Sequence, residues 1–439
     1  MEGNIKNKKK IICNLIKFIE KKKINYCFLG NIKNIFNDAD SDIDIFIQFK
    51  DKKYLYNIIK EFCIKNNLKI VNIFQHEVGA FYFVLIYKNQ FNKNQFILLD
   101  ICNEYVAYGH KLIDFINCTK KNILKLKNVR LKILEPKDQL KYYLLKKIIK
   151  NDFNDTSYKY IFSLVNKMKK IKLLDLNNNF NNYFSIKIIN ALKKCDKKFF
   201  TKNIKVLQRN IYSTKPLRFV DLKDILMRKL SRIANPTGLF VVFLGCDGSG
   251  KSTIINMLLK DYVFLNGFRK KEYFHLYPLF KNKKQKKLIV KNPHAQNEYN
   301  FFISFIKIVY LYILFLFGYF INIRPLLVTS TLVLFDRFIY DITVDPKRFR
   351  LKVPLFLLKL TCKILPKPDL IFILDSKIET LNKKKQEVEK NMLINLKSKY
   401  LKLKTEFKNV YIIDNSKSLS STYNKVLEKI LKKLISKNI

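Results

Sequence analysis

Leu239-Phe240-Val241-Val242-Phe243-Leu244-Gly245-Cys246-Asp247-Gly248-Ser249-Gly250-Lys251-Ser252-Thr253 is the stretch from which the architecture follows. Six apolar residues in a row, bounded by glycines, read as a short strand buried on both faces, the kind found inside a parallel sheet. Ile254 to Leu259 is apolar with helical character, so the glycine-rich segment joins a strand to a helix. In that context the G-x-x-x-x-G-K-[ST] spacing is a phosphate-binding loop. Its glycines let backbone N–H groups turn inward around phosphate oxygens, and the helix N-terminus adds positive potential. Lys251 reaches the terminal phosphates and the Ser252 hydroxyl holds Mg2+. The candidate nucleotide-binding residues are therefore Gly245, Asp247, Gly248, Ser249, Gly250, Lys251, Ser252 and Thr253, with ATP and Mg2+ as the implied cofactors. Of only 10 glycines in the chain, four fall between 238 and 250, at 238, 245, 248 and 250, a concentration that compositional drift does not produce.

A second continuous apolar run, Leu332 to Phe335, ends in Asp336-Arg337. A carboxylate at such a strand end is placed to orient a magnesium shell, and a guanidinium beside it binds phosphate in a fork. Lys251, Asp336 and Arg337 are thus the expected catalytic residues, with Ser252 and Asp336 on the metal. In a chain that writes lysine far more often than arginine, Arg324, Arg337, Arg348 and Arg350 cluster here, and planar bidentate recognition is the expected reason.

These motifs resemble the thymidylate kinases: the loop Gly245–Thr253, the Asp336-Arg337-Phe338 triplet, and Pro368-Asp369 leading into Leu370–Asp375, which is similar to the strand before their lid. The resemblance covers about residues 236 to 439. It implies that Asp247 faces the acceptor and that Asp336 and Arg337 lie between donor and acceptor phosphates. Two departures bear on the acceptor. Tyr273 to Pro278 stands where the family carries its acceptor-phosphate segment, and Lys383, Lys384 and Lys385 stand where its lid carries an arginine. His275, Asn292-Pro293-His294-Ala295, Asp341, Asp345-Pro346 and Arg348 instead resemble a divergent thymidylate kinase-like branch that is often joined to an N-terminal nucleotidyltransferase-like domain. The resemblance makes Asp247, His275, Asp341 and Arg348 the expected acceptor-binding residues.

Near the other terminus, Phe28-Leu29-Gly30-Asn31, Ser41-Asp42-Ile43-Asp44 and Leu98-Leu99-Asp100 follow in an order that resembles the minimal nucleotidyltransferase fold. Alternation along a strand puts Asp42 and Asp44 on one face, and with Asp100 they form a candidate Mg2+ site. Asn31 stands where that fold usually has serine. Asp38, Asp40 and Glu104 read as solvated loop.

The expected architecture is therefore α/β: an N-terminal α+β nucleotidyltransferase-like domain at 1–135, a helical connector at 136–235, and a C-terminal P-loop NTPase fold with a parallel sheet at 236–439. Within it, strands are expected at Tyr26–Leu29, Ile43–Gln48, Ala80–Tyr87 and Gln95–Ile101. At 439 residues with 48% hydrophobic and 27% charged, the chain is long and apolar enough to bury more than one core. Lys+Arg 85 against Asp+Glu 35 gives a formal charge of +50, which attracts polyanions, anionic membranes and phosphorylated metabolites. No basic stripe interleaved with aromatics stands out, so nucleic acid is not the expected partner. The 8 cysteines contain no C-x-x-C pair, so neither a zinc site nor a disulfide framework is expected. No apolar leader segment opens the sequence, and a cytoplasmic location is expected.

Phe301 to Ile321 is apolar but for Ser304 and Lys307. A span here would separate Lys251 from Asp336, so the expectation is a helix of the P-loop domain that buries most of Val309 to Phe320 against the sheet or a homodimer partner, extends Lys307 to solvent and ends at Pro325. Peripheral contact with a membrane is the further partner this segment allows. The expected activity is ATP-dependent phosphoryl transfer to a nucleoside monophosphate or related small-molecule acceptor. The alternatives are a nucleotidyltransferase regulated by the P-loop domain, and a nucleotide-gated binding protein at a membrane surface.

Overall fold

The computed structural model describes residues 2–30, 42–88, 94–116, 121–126, 129–168, 174–217, 219–261, 266–279, 296–379, 390–416 and 418–437. Asn31, Asp38, Asp40, Ser41, Cys118, Asn292 to Ala295 and Lys383 to Lys385 lie outside them. The chain divides into two compact units, Met1–Ser231 and Arg232–Ile439.

The first unit is α+β. Its strands are β1 (Tyr26–Phe28), β2 (Ile43–Ile47), β3 (Lys69–Glu77), β4 (Ala80–Lys88), β5 (Asn94–Cys102), β6 (Glu104–Ala107), β7 (His110–Asp114), β8 (Lys121–Leu126) and β9 (Val129–Leu134). Seven of them form a mixed sheet of order β3-β4-β5-β2-β1-β9-β8, and β6 pairs with β7 alone. Alternation sorts the side chains. Ile43, Ile45, Ile47, Leu99 and Ile101 pack with helices α1 (Glu2–Lys21) and α2 (Lys52–Lys65), whereas Phe46 packs on the opposite face. That opposite face is covered by α3 (Pro136–Lys150), α4 (Asp155–Asn166), α5 (Leu174–Asn177), α6 (Asn182–Lys193) and α7 (Lys197–Thr214), whose Leu140, Leu144, Ile161 and Leu207 share one core with Cys27 and Phe46. The segment read as a connector is thus packed as a layer on the sheet. β3 and β6 to β9 were not among the expected strands: β3 buries its residues without a clean two-residue period, so its sequence carries little strand signal.

Helix α8 (Phe219–Ala234) leads into the second unit. There β10 (Leu239–Leu244), β11 (Lys270–His275), β12 (Thr331–Asp336), β13 (Leu370–Asp375) and β14 (Val410–Asp414) form a parallel sheet of order β11-β12-β10-β13-β14. Every residue of β10 and β12 is buried, as their continuous apolar runs require. The connecting helices are α9 (Lys251–Lys260), α10 (Phe301–Gly318), α11 (Arg324–Val328), α12 (Ile339–Val344), α13 (Leu355–Ile364), α14 (Lys390–Glu406) and α15 (Leu419–Lys437). This α/β arrangement, with the glycine-rich loop leaving the central strand, is a P-loop fold.

Three expectations about the apolar helix are corrected. Between Val309 and Phe320 only Leu311, Leu314, Phe315 and Gly318 are buried, because a single face meets the core at helical spacing and the rest of the surface is turned away. Lys307 does not reach for solvent; its ammonium donates to the Phe349 carbonyl at 2.8 Å and lies over the Tyr299 ring. Nor does Pro325 end the helix. A π-turn over Tyr319–Ile323 widens the spiral just before it, with the Arg324 N–H donating to the Tyr319 carbonyl, and the chain continues as α11 through Val328. The wide turn absorbs the bond that a proline cannot make.

Gly238 opens β10 against backbone: a Cβ there would lie 2.6 Å from the Thr331 carbonyl oxygen and 2.7 Å from Leu327 Cα. Gly238→Ala is expected to destabilise the second unit by about 1–3 kcal/mol through overpacking. Urea unfolding checks this, and an unchanged midpoint would show that β10 and β12 can part at no cost.

Candidate active site

Parallel register brings the site to one level. His275 is paired with Asp336, and Asp336 with Phe243, so the carboxyl ends of β11, β12 and β10 finish side by side, the edge at which open α/β sheets bind ligands. Gly245 to Gly250 leaves β10 there and Lys251 starts α9. Gly250 has φ +89°, and a Cβ on it would lie 2.7 Å from the Asn415 amide nitrogen, so only glycine serves. The Asn415 amide donates to the Ser249 carbonyl at 2.6 Å, and Thr422 donates to Asn415 at 2.8 Å, fastening the loop to the end of β14.

The Ser252 hydroxyl donates to Asp336 Oδ2 at 2.8 Å, and the other oxygen, Oδ1, is buried without a partner, as is the Ser249 hydroxyl. A buried carboxylate oxygen left unpaired is costly unless a ligand completes it. Lys251 is buried, not exposed as a loop lysine would be: its ammonium donates to the Gly245 and Cys246 carbonyls at 2.8 and 3.0 Å. Burial, and next the nearby Arg337 charge, lower its pKa. The lysine therefore sits folded within its own loop with a weakened hold on its proton, and an anionic ligand there would strengthen that hold.

Arg337 adopts φ +71°, a left-handed geometry rare for a non-glycine residue, and is held there by three partners. Its N–H donates to the Phe243 carbonyl at 3.0 Å, and its guanidinium donates to Asp341 Oδ2 at 2.9 Å and to Asp247 Oδ1. Arg348 donates to Asp247 Oδ2 at 2.9 Å. Burial alone would raise the Asp247 pKa; the charges of Arg337, Arg348 and Lys251 overcome it and hold the carboxyl well below the usual range. The stability from this pairing is therefore complete above the unfolded value of about 3.9 and is lost only as pH falls toward the depressed folded value. Burial lowers the His275 pKa, with Asp336 opposing in part, so the ring is neutral near neutrality.

The structure assembles Lys251, Ser252, Asp336, Arg337, Asp247, His275 and Arg348 around one edge, but it reassigns others. Asp341 is 1% exposed and both its oxygens are engaged, one by Arg337 and one by the Tyr400 hydroxyl at 2.7 Å. It positions Arg337 and does not present itself to an acceptor. Arg324 donates to the Ile233 and Ala234 carbonyls, and Arg350 donates to Asn297 and lies over the Tyr299 ring, so neither joins the phosphate cluster. Gly248 and Thr253 are in the loop and the first turn of α9 as expected. Asn415 and Tyr400 went unrecognised in the sequence, since neither belongs to a local motif.

In the first unit, alternation and register bring Asp44 beside Asp100 on β2 and β5, and Tyr82 on β4 opposite Asp100. Tyr82 donates to Asp42 at 2.7 Å, and the Lys146 ammonium of α3 pairs with Asp44 at 2.6 Å. Burial pushes the Asp100 carboxyl up to about 7, Asp44 adding to the rise and Lys146 opposing it. Burial also raises the Asp42 pKa. Lysine thus takes the charge that a metal would otherwise neutralise. Among the described residues no group of three or more His, Cys, Asp and Glu side chains is arranged to hold a metal ion.

No family model matches the chain, and no curated protein matches it. Among solved structures it is similar to a thymidylate kinase from Ehrlichia chaffeensis, at 15% identity over 44% of this chain and 100% of that one, with a TM-score of 0.32. It is also similar to a thymidylate kinase from Candida albicans, at 18% identity over 46% of this chain and 94% of that one, with a TM-score of 0.34. The chemistry of the site stands on its own geometry.

Tyr400→Phe removes the donor on Asp341 Oδ1 and leaves a buried acceptor unpaired, at an expected cost of about 1–3 kcal/mol. Urea unfolding of the second unit measures it. A variant as stable as the parent would show that Asp341 needs no partner beyond Arg337.

Proposed function

We propose that the second unit catalyses phosphoryl transfer from ATP, with Mg2+, to a small-molecule acceptor, a nucleoside monophosphate or a related phosphorylated metabolite. The observation that carries this reading is the Ser252–Asp336 bond with Asp336 Oδ1 left unpaired and buried, set between the phosphate loop and Arg337. Ser252 and Asp336 would hold the ion; magnesium supplies charge neutralisation across the terminal phosphates. Lys251 leaves the Gly245 and Cys246 carbonyls to meet phosphate oxygens. Arg337, braced by Asp341 and Asp247, holds its fork where negative charge gathers on the transferring group. Asp247, Arg348 and the neutral His275 line the acceptor side, where a hydrogen-bonding ring beside a guanidinium suits a phosphate or a hydroxyl group. The resemblance to thymidylate kinases in loop, Asp-Arg pair and following strand supports the nucleoside monophosphate as first choice.

One observation favours a second reading, a nucleotidyltransferase with the P-loop unit regulatory: Asp44 and Asp100 are paired across β2 and β5, and Asp42, just before β2, accepts from Tyr82. Its Lys146–Asp44 pair fits a metal poorly, so this reading is the weaker one.

The test is an acceptor panel of nucleoside monophosphates, nucleosides and phosphorylated sugars, scored for ADP and for pyrophosphate. Acceptor-dependent ADP release is expected, falling at least about a hundredfold in Lys251→Ala. A Lys251→Ala protein turning over at the parental rate would overturn the kinase reading, and pyrophosphate as the product would replace it with the second.

A further inference from the structure

The helix that starts at Phe301 runs through its π-turn to Val328, 28 residues, and is long and apolar enough to cross a membrane, yet most of its apolar residues are not buried. Its inner face, with Ile308, Leu311, Phe315, Ile323 and Leu327, belongs to the same core as Phe240, Phe335 and Phe338. Removing the helix to span a bilayer would strip β10 and β12 of their cover. Its outer face carries Phe302, Phe305, Val309, Ile313, Phe317 and Phe320, all exposed, a stripe along about 27 Å at 1.5 Å per residue. A neighbouring stripe continues it: Phe301 and Leu355 line one cavity of about 940 Å³, and from Leu355 the helix α13 exposes Phe356, Leu360 and Ile364. A soluble surface rarely carries an apolar patch of this extent without a partner.

Charge selects the partner. From Glu298 to Pro368 the acidic residues are Glu298, which is exposed and lines that cavity, and Asp336, Asp341 and Asp345, which are all buried. The exposed positive charges of the same stretch are Lys347, Lys352, Lys363 and Lys367, of which Lys363 lies among the apolar residues of α13 and Lys347 and Lys352 line the cavity with Phe301 and Leu355. A second copy laid on this face would bring together two surfaces of the same net positive charge. We infer that the face formed by Phe301–Ile321 and α13 docks on an anionic lipid bilayer, its aromatic residues entering the headgroup boundary and its lysines meeting lipid phosphates, with the helix lying in the plane of the membrane. This docking does not rest on the phosphoryl-transfer reading.

Flotation of the full chain with phosphatidylcholine vesicles, and with the same vesicles doped with phosphatidylserine, tests it. Flotation with the anionic vesicles is expected to exceed that with the neutral ones by about tenfold or more, and to be released by alkaline carbonate. Phe302→Asp with Phe356→Asp, the two most exposed of these aromatics at 69% and 66%, is expected to abolish it while the unfolding transition is unchanged. Should that variant not fold, Lys352→Glu with Lys363→Glu, which alters only exposed side chains, decides by the same loss. Absence of flotation, flotation unaffected by either variant, retention after carbonate, or a dimer in solution that the phenylalanine variant splits would each overturn the proposal.

Discussion

The hydrogen bond between Ser252 and Asp336 is the joint on which the second unit depends, because it ties the loop after β10 to the end of β12 across the carboxyl edge of the sheet. It exists only because the two strands run parallel and in register, Phe243 level with Asp336. Parallel pairing requires a long crossover, and here that crossover includes the whole apolar helix from Phe301 to Val328. The helix is therefore both a structural cover for the sheet and the source of the exposed aromatic surface.

Around that joint the charges form a closed set. Asp341 is satisfied by Arg337 and Tyr400, Arg337 by Asp341 and Asp247, and Asp247 by Arg337 and Arg348. Buried carboxylates and guanidinia at this depth persist only as such a network, since removing any partner strands a charge in a poor solvent for it. The consequence is order: Arg337 is held in a left-handed conformation by the protein alone. What the network leaves open, Asp336 Oδ1 and the Ser249 hydroxyl, lies on the side of the phosphate loop.

Much of this was legible in the sequence, and the reasons are local. Six apolar residues, a glycine-rich loop and an apolar helix follow one another, so the strand, the loop and the positions of Lys251 and Ser252 at the start of the helix could be read from spacing alone; the position of Asp336-Arg337 could be read from its place at a strand end. The misreadings are of residues whose partners are remote. Asp341 reads as acceptor-binding by resemblance, but Arg337 and Tyr400, the latter on α14, engage both of its oxygens. Arg324 and Arg350 stood out by residue type, but backbone carbonyls of distant segments claim them. Lys146 lies 102 residues from Asp44, and no local pattern could have placed an ammonium on that carboxylate. The apolar helix was ambiguous for another reason: when nearly every position is apolar, periodicity cannot say which face is buried.

On the proposed reading, Asp336 with Ser252 completes its shell with a nucleotide-bound magnesium ion. Calorimetric titration of ATP into the full chain, with and without Mg2+, tests it most directly when repeated on Asp336→Asn. Mg2+ should strengthen ATP binding by about tenfold or more in the parent, and that gain should vanish in the variant while the metal-free affinity changes little. ATP binding that is indifferent to Mg2+ in the parent, or equally strengthened by it in Asp336→Asn, would contradict the account.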